Sequence, residues 1–390
     1  MKLLLLNLIV LLCPLFQGTG ALHHAAIPPD ICQHAQARVY EGKRPKNIIL
    51  LIVDGMGLTQ ISAGMYAHQD KKLNIDQFPV TGLSRTHSAR QLITDSAAGA
   101  TAFSCGCKTV NAYIGVDTKK KPCVTILEQA KKEGLAVGLV SSCSVTHATP
   151  ASFIAHVGDR AETESIATYF LQTEVDLLIG GGMKYFNQRK TDQRNLVQEL
   201  VQKGVVVSDF SKQAIADLRP DLKHPLVWFS AEGEPPSALK GRDYLPEAAR
   251  LAPVFLKQRS DKGFFMMLEG SQIDWACHDK DGPRAVSEML DFDQAVGAIL
   301  EFARQDGETL VIITADHETG GMTLDQGTGP DTLAINFNTN YHTASMVPVY
   351  AYGPGAELFG GMYENTAIYT KMMELFGWGN VQPNPSSVKK

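Results

Sequence analysis

An apolar run at residues 47–53 passes straight into Asp54-Gly55-Met56-Gly57, which sets a carboxylate just beyond a strand-like segment, beside glycines that let other backbone approach closely. A second apolar run, 309–314, leads into Ala315-Asp316-His317-Glu318, and a third, 264–268, leads into Glu269, Asp274 and His278. A lone carboxylate after a strand is ordinarily a turn former or a helix cap. Three runs that each end in oxygen or mixed oxygen and nitrogen donors point instead to divalent-metal chemistry. Asp274 and His278 stand four residues apart, so one helical turn aims both at a single ion. Asp316 and His317 are chain neighbours that meet on one ion only where the backbone turns. Carboxylate with imidazole suits zinc; carboxylates with a hydroxyl and water suit magnesium.

A nucleophile candidate lies in Thr94-Asp95-Ser96-Ala97-Ala98-Gly99-Ala100-Thr101-Ala102. The small residues after Ser96 favour helix and put the serine in its first turn, where free N–H groups and the helix dipole stabilise an alkoxide and an incoming phosphate. Taken alone, the segment also fits a serine that merely begins a buried helix. No histidine stands within a few residues to act as base, so an ion would lower the serine pKa in its place.

These groups need a scaffold that gathers distant segments at one edge. Short, continuous apolar runs at 47–53, 136–141, 175–179, 226–229, 264–268, 309–314 and 346–352 read as strands buried on both faces. Helical patterns at 125–133, 162–172, 195–203, 244–259, 282–304 and 366–375 lie between them. The alternation predicts an α/β fold, a three-layer α/β/α sandwich around a large, mainly parallel sheet, with ligands at the carboxyl ends of the strands. No internal repeat or domain-separating linker interrupts the pattern, and 327–340 is the best surface-loop candidate. One catalytic domain over 22–380 with a polar tail at 381–390 is the expected organisation.

Composition narrows the chemistry. With 390 residues, 44% hydrophobic and 20% charged, the chain can bury a large core, which excludes a disordered, collagenous or coiled-coil polymer. A net charge of −5 gives no electrostatic reason to bind nucleic acid or an anionic membrane, so an anionic substrate must be held by metals or a placed arginine. Met1-Lys2, an apolar run to Phe16 and the small residues of 17–21 have the order of a secretory signal over 1–21, too short for a comfortable membrane span. Export to a periplasmic or extracellular location is therefore expected, with no membrane anchor after cleavage. Cys13 leaves with that segment, and the six remaining cysteines permit disulfides in an exported chain. Cys105 or Cys107 with Cys123 is the first bridge to test, against the alternative of several free buried thiols.

Five segments resemble one family, the alkaline phosphatases, in its motif order: 95–102 (DSAAGATA), 146–160 (THATPASFIAHVGDR), 269–275 (EGSQIDW), 314–321 (TADHETGG) and 342–349 (HTASMVPV). The resemblance covers residues 45–378. It implies hydrolysis of small-molecule phosphate monoesters through a phosphoserine on Ser96, with Arg160 gripping two phosphate oxygens. It also implies two zinc ions, one held by Asp274, His278 and His342 and the other by Asp54, Asp316 and His317. One magnesium ion would be shared among Asp54, Thr149 and Glu269. Two positions depart from the best-known bacterial pattern. His147 stands where some members carry an aspartate beside magnesium, and either lies beyond the direct ligands or binds a third zinc. Trp275 stands where some carry a lysine, removing one cation near the phosphate or packing as a wall. A homodimer is a candidate assembly, although the short 321–342 connection lacks the crown insertion of animal members. The alternatives are a phosphodiesterase or sulfatase of the same superfamily, and a non-catalytic phosphate- or metal-binding exported protein. Ser96 with Arg160 favours monoesters, because a diester carries one less charge. His156, in a helix-like stretch before Arg160, is expected to be a packing residue, and His23, His24, His34, His68, His87 and His224 to be surface or turn residues. Glu318 is expected to hydrogen-bond a histidine without binding metal.

Overall fold

Strands that are apolar on both faces must lie between two layers, and six segments of the large sheet are buried at every residue: Asn47–Val53, Ala136–Ser144, Leu177–Gly181, Leu226–Phe229, Phe264–Gly270 and Thr309–Thr314. The computed structural model describes residues 40–329 and 331–378. The expected signal segment, Cys13, Cys32, His23, His24, His34 and the polar tail lie outside the described residues.

In chain order the strands are β1 (Asn47–Val53), β2 (Val80–Arg85), β3 (Ala136–Ser144), β4 (Leu177–Gly181), β5 (Val206–Asp209), β6 (Leu226–Phe229), β7 (Phe264–Gly270), β8 (Thr309–Thr314), β9 (Glu318–Thr319), β10 (Met322–Leu324), β11 (Ile335–Phe337), β12 (His342–Thr343), β13 (Val347–Tyr352) and β14 (Gly361–Glu364). Ten of them form one sheet in the order β14-β2-β13-β8-β1-β7-β3-β4-β6-β5. Every pairing is parallel except the two made by β13, which runs against both β8 and β2. The helices are α1 (Leu58–Ala67), α2 (Ser96–Cys105), α3 (Ile126–Lys132), α4 (Ala148–Ala151), α5 (Thr163–Gln172), α6 (Lys184–Asn187), α7 (Leu196–Gln202), α8 (Tyr244–Lys257), α9 (Gln272–His278), α10 (Gly282–Asp306) and α11 (Thr366–Leu375).

The three layers follow from the two-residue period of a strand. Ile49, Leu51 and Val53 of β1 join a core with Leu245 and Phe255 of α8 and Phe292 and Val296 of α10. Ile48, Leu50 and Ile52 join a second core with Phe103 of α2, Leu127 of α3, Ile166 of α5 and Met372 of α11. Truncating one such side chain, as in Leu50→Ala, costs about 2–5 kcal/mol. The fold is thus the expected α/β arrangement around a mainly parallel sheet.

Several bounds differ from the sequence pattern. β3 and β7 extend past their apolar runs to Ser144 and Gly270, because backbone pairing continues where polar side chains begin. The strand expected at 175–179 lies at Leu177–Gly181. β2 and β14 carry no continuous apolar run and β5 only the three valines 205–207, and none of the three was expected; β2 alternates buried and solvent-facing residues at the thin side of the sheet. The 327–340 loop contains β11, which pairs with β10. His156 is not helical, since α4 ends at Ala151. Among the described residues no helix is long and apolar enough to cross a membrane, and Cys105, Cys107, Cys123, Cys143 and Cys277 are free thiols.

Candidate active site

The neighbours β8, β1, β7 and β3 run parallel, so their carboxyl ends open on one edge. Asp54 follows β1 directly, and its N–H donates to Gly270 O of β7 at 3.0 Å. Asp54 O in turn accepts from Asp274 N–H at 3.0 Å, which ties the start of α9 to the end of β1. Gly55 makes this approach possible: its φ is +83°, and a Cβ there would stand 2.6 Å from Asp274 Cα. Gly99 does the same for α2, where a Cβ would meet Asp316 Cβ at 2.9 Å. The helix that begins with Ser96 therefore packs directly on the end of β8.

Three histidines present Nε2 to this edge because Nδ1 is already engaged. His342 Nδ1 donates to Thr94 O at 2.8 Å and His278 Nδ1 to Asn340 O at 2.7 Å. His317 Nδ1 donates to Thr319 Oγ1 at 3.2 Å, and that hydroxyl donates onward to Asp274 Oδ1. Fixing the tautomer in this way leaves each Nε2 lone pair for an ion. His278 Nε2 lies 3.1 Å from His342 Nε2 and 3.3 Å from Asp274 Oδ1, and His342 Nε2 lies 3.4 Å from Asp274 Oδ1. His317 Nε2 lies 3.3 Å from Asp316 Oδ2 and 3.6 Å from Asp54 Oδ1. Ser96 Oγ sits beside the second group, 3.5 Å from His317 Nε2. The structure thus gathers the residues that the sequence distributed between two ions.

Asp95 caps α2, accepting Ala98 N–H on Oδ1 at 3.0 Å. Its other oxygen accepts from Arg160 Nη1 at 3.1 Å, and Arg160 Nη2 donates to His147 Nε2 at 3.2 Å. His147 is held neutral, its pKa pushed down to about 3 by burial and by the Arg160 charge. Its ring meets Trp275 edge-on, with centroids 5.7 Å apart, so Trp275 forms a wall against the imidazole.

A third group lies behind Asp54. Donor atoms of Cys143, His147 and Glu269 fall within 4.8 Å of one another. Thr149 Oγ1 and Glu269 Oε1 are buried here without a hydrogen-bond partner, and Cys143 Sγ donates to Glu269 Oε2 at 3.3 Å. Burial raises the carboxyls here: Glu269 to about 8, Asp316 to about 7 with help from Asp274, and Asp54 well above its usual range with help from Asp316 and Asp274. Both oxygens of Asp54 and Oδ2 of Asp316 are buried without a hydrogen-bond partner. Carboxylates so placed repel one another unless a cation lies among them.

Sequence reasoning missed the dual role of Asp95, the relay through Thr319, and Cys143. An acid in the residue before Ser96 was the visible signal for the first; the others depend on contacts between distant segments. Glu318 hydrogen-bonds Gln60, Thr343 and the Gly321 and Met322 N–H groups, not a histidine, so it braces the turn after Asp316-His317. His156 bonds Gly115 O at 2.6 Å and Glu128 Oε1 at 2.9 Å, a packing role outside the site.

The sequence profile described as alkaline phosphatase matches residues 45–334. Alkaline phosphatase 3 of Bacillus subtilis (strain 168) is 34% identical, over 83% of this chain and 87% of its own length. The structure of alkaline phosphatase from the Antarctic bacterium TAB5 matches with a TM-score of 0.81 at 40% identity, covering 86% of this chain and 99% of that one. Two variants of that enzyme, with one histidine replaced by glutamate or aspartate, have been solved with magnesium bound in the M3 site. Sheet, motif order and matched span agree: the chain belongs to the alkaline phosphatase family and is a metal-dependent phosphoric monoester hydrolase.

Proposed function

We propose that hydrolysis runs through a phosphoserine formed on Ser96, with zinc at the two donor clusters beside it and magnesium at Asp54, Thr149 and Glu269. One observation carries this reading: Ser96 Oγ, at the N-terminus of α2, lies 3.5 Å from His317 Nε2, while the residue preceding it holds Arg160. The donor sets fit zinc. Around a tetrahedral ion with bonds of about 2.0–2.1 Å, neighbouring donors stand roughly 3.3 Å apart, close to the separations of 3.1, 3.3 and 3.4 Å in the Asp274 cluster. Ions bound there supply Lewis acidity toward phosphate oxygens and lower the pKa of a coordinated hydroxyl or water.

The chain's own groups do the rest. Ser96 Oγ bonds to phosphorus as the ester oxygen leaves with its electron pair, and water then cleaves the phosphoserine to restore the serine. N–H groups opening α2 favour the anionic phosphate. Arg160, fixed through Nη1 by Asp95 and through Nη2 by His147, offers an oriented fork to the non-bridging oxygens before substrate arrives.

Charge decides the third ion. The TAB5 variants that bind magnesium in M3 carry an acid in place of a histidine, whereas here a neutral His147 and the Cys143 thiol adjoin Glu269. That softer set makes zinc the competing occupant. The proposal includes export, on the strength of the signal-like segment 1–21, and a homodimer as the candidate assembly.

Acid quenching during turnover of phosphorus-labelled p-nitrophenyl phosphate tests the proposal. Wild-type protein should retain label on Ser96. Ser96→Ala should retain none and lose about 10⁴-fold or more in turnover with its zinc content unchanged. Faster hydrolysis of the bis-ester than of the monoester would assign the site to diesters instead.

A further inference from the structure

The backbone that carries Arg160 is braced by a second stretch of chain, and an imidazole ties the two together at one end. Residues 112–115 run antiparallel beside 157–160: Ala112 O accepts Arg160 N–H at 2.8 Å, and Ile114 and Val157 exchange both backbone hydrogen bonds at 3.0 Å. Ala112 N–H also donates to Asp95 Oδ2 at 2.9 Å, the oxygen that accepts from Arg160 Nη1. The strip thus touches both members of the phosphate clamp. Ala112 has a φ of +70°, a left-handed backbone that an alanine keeps only where its surroundings enforce it. At the other end of the strip, His156 Nδ1 lies 2.6 Å from Gly115 O and Nε2 lies 2.9 Å from Glu128 Oε1. A carbonyl oxygen and an ionised carboxylate only accept, so both ring nitrogens must donate, which requires the doubly protonated ring. Glu128 is itself fixed, since Oε2 accepts Thr125 N–H at 2.8 Å in the capping box that opens α3.

We propose that His156 is a positioning residue for the phosphate clamp: its imidazolium joins Gly115 O to Glu128 and so holds the Arg160 backbone in register with Ala112. The groups packed around the ring leave it this charge. From α3, Glu128 is its counter-ion. From α5, Tyr169 meets the ring edge-on, with centroids 5.8 Å apart, and donates its hydroxyl to His156 O at 3.0 Å; burial raises that phenol, which stays neutral. On the loop side, Lys120 lies over the Tyr113 ring, 5.0 Å from its centroid. Burial alone would lower the His156 pKa, but the bonds to Glu128 and Gly115 O outweigh it and hold it above its ordinary value of 6.5. The brace is therefore complete below that ordinary value and fades as pH rises through the raised one. A neutral ring satisfies one acceptor and turns a lone pair toward the other. The strip then loosens at its Gly115 end, and Arg160 grips phosphate less firmly, so product leaves more readily in alkaline solution.

The functional half of this inference rests on the reading of Arg160 as the phosphate clamp; the charge state of His156 does not. NMR of the full metal-loaded chain with isotope-labelled histidine should show one imidazole, missing in His156→Gln, that titrates above 6.5. Glu128→Gln removes the counter-ion but keeps the capping-box acceptor, and should lower that titration. Inorganic phosphate is then used as a competitive inhibitor of p-nitrophenyl phosphate hydrolysis from mildly acidic to alkaline pH. Its inhibition constant should rise several-fold through the His156 titration in wild type and at the correspondingly lower pH in Glu128→Gln. His156→Gln should lack this step, with activity little changed at alkaline pH, where the wild-type ring is already neutral. An imidazole that titrates at or below its ordinary value would overturn the charged brace. A phosphate step that survives His156→Gln, or one that stays in place in Glu128→Gln while the titration moves, would overturn the positioning role. Phosphate inhibition indifferent to Arg160→Ala would overturn the clamp reading and leave the charge state of His156 standing.

Discussion

The donor clusters beside Ser96 reach electrical balance by opposite routes. In the metal-free protein, where His278 and His342 take up a second proton, burial pushes the Asp274 carboxyl up, yet hydrogen bonds from the two imidazoles outweigh it and hold the group well below its usual range. His278 is drawn up in exchange, to about 9, by its hydrogen bond to Asp274. The imidazole nearest Asp54 and Asp316, His317, is itself held neutral by burial, and burial with mutual repulsion raises Asp54, Asp316 and Glu269. The imidazole-rich side satisfies much of itself. The carboxylate-rich side, at the fully buried ends of β1, β7 and β8, must import positive charge, so ion removal should act chiefly there.

The strongest test of this contrast is Asp316→Asn. Loss of one anion from the carboxylate side should release the second zinc and cut turnover by about 10³-fold, read by elemental analysis beside steady-state kinetics. Zinc at full stoichiometry in that variant would erase the distinction. On the other side, Thr319→Val breaks the relay between His317 and Asp274 and should weaken zinc binding about 10–100-fold, measured by competition with a chromophoric chelator. An affinity equal to wild type would mean that the relay does not orient those ligands.

The smallest effect concerns the metal-free protein. Asp316 and Glu269 have folded pKa values of about 7 and about 8, above their unfolded values of 3.8 and 4.5. The folded state therefore binds more protons than the unfolded one across that interval. The contribution of these two groups to stability is fully present below pH 4 and is lost as pH rises through 7 and 8. Thermal unfolding in excess chelator should show a melting temperature that falls by some degrees over this window, and added zinc and magnesium should flatten it. A metal-free protein that gains stability over the same window would break the comparison at its root.

The sequence disclosed those parts of the site whose position is a local property. Asp54 and Asp316 follow continuous apolar runs, so their place at the sheet edge was legible from the runs alone. Asp274 and His278 share one turn of α9, as their spacing required. His342, Arg160 and Thr149 entered only through family resemblance, because nothing beside them in the chain marks a ligand. The missed strands β2, β5 and β14 are short and partly solvent-facing, so they lack the hydrophobic run that betrays a central strand. Cys143 was read as a possible bridging cysteine, but its contact with Glu269 spans two strands whose adjacency no local pattern encodes.

The one reversed strand has a further consequence. Because β13 runs opposite to β8, the chain leaves the sheet after Thr314 and re-enters it at Val347 on the same side. The whole excursion between them, with β10, β11 and the hairpin ending near His342, is a detour whose two anchors are set by neighbouring strands and not by its own length. Residues can be added to or removed from its outer part without shifting a single rung of the ladder, which makes it the natural place for an engineer to graft a recognition module above the reaction centre.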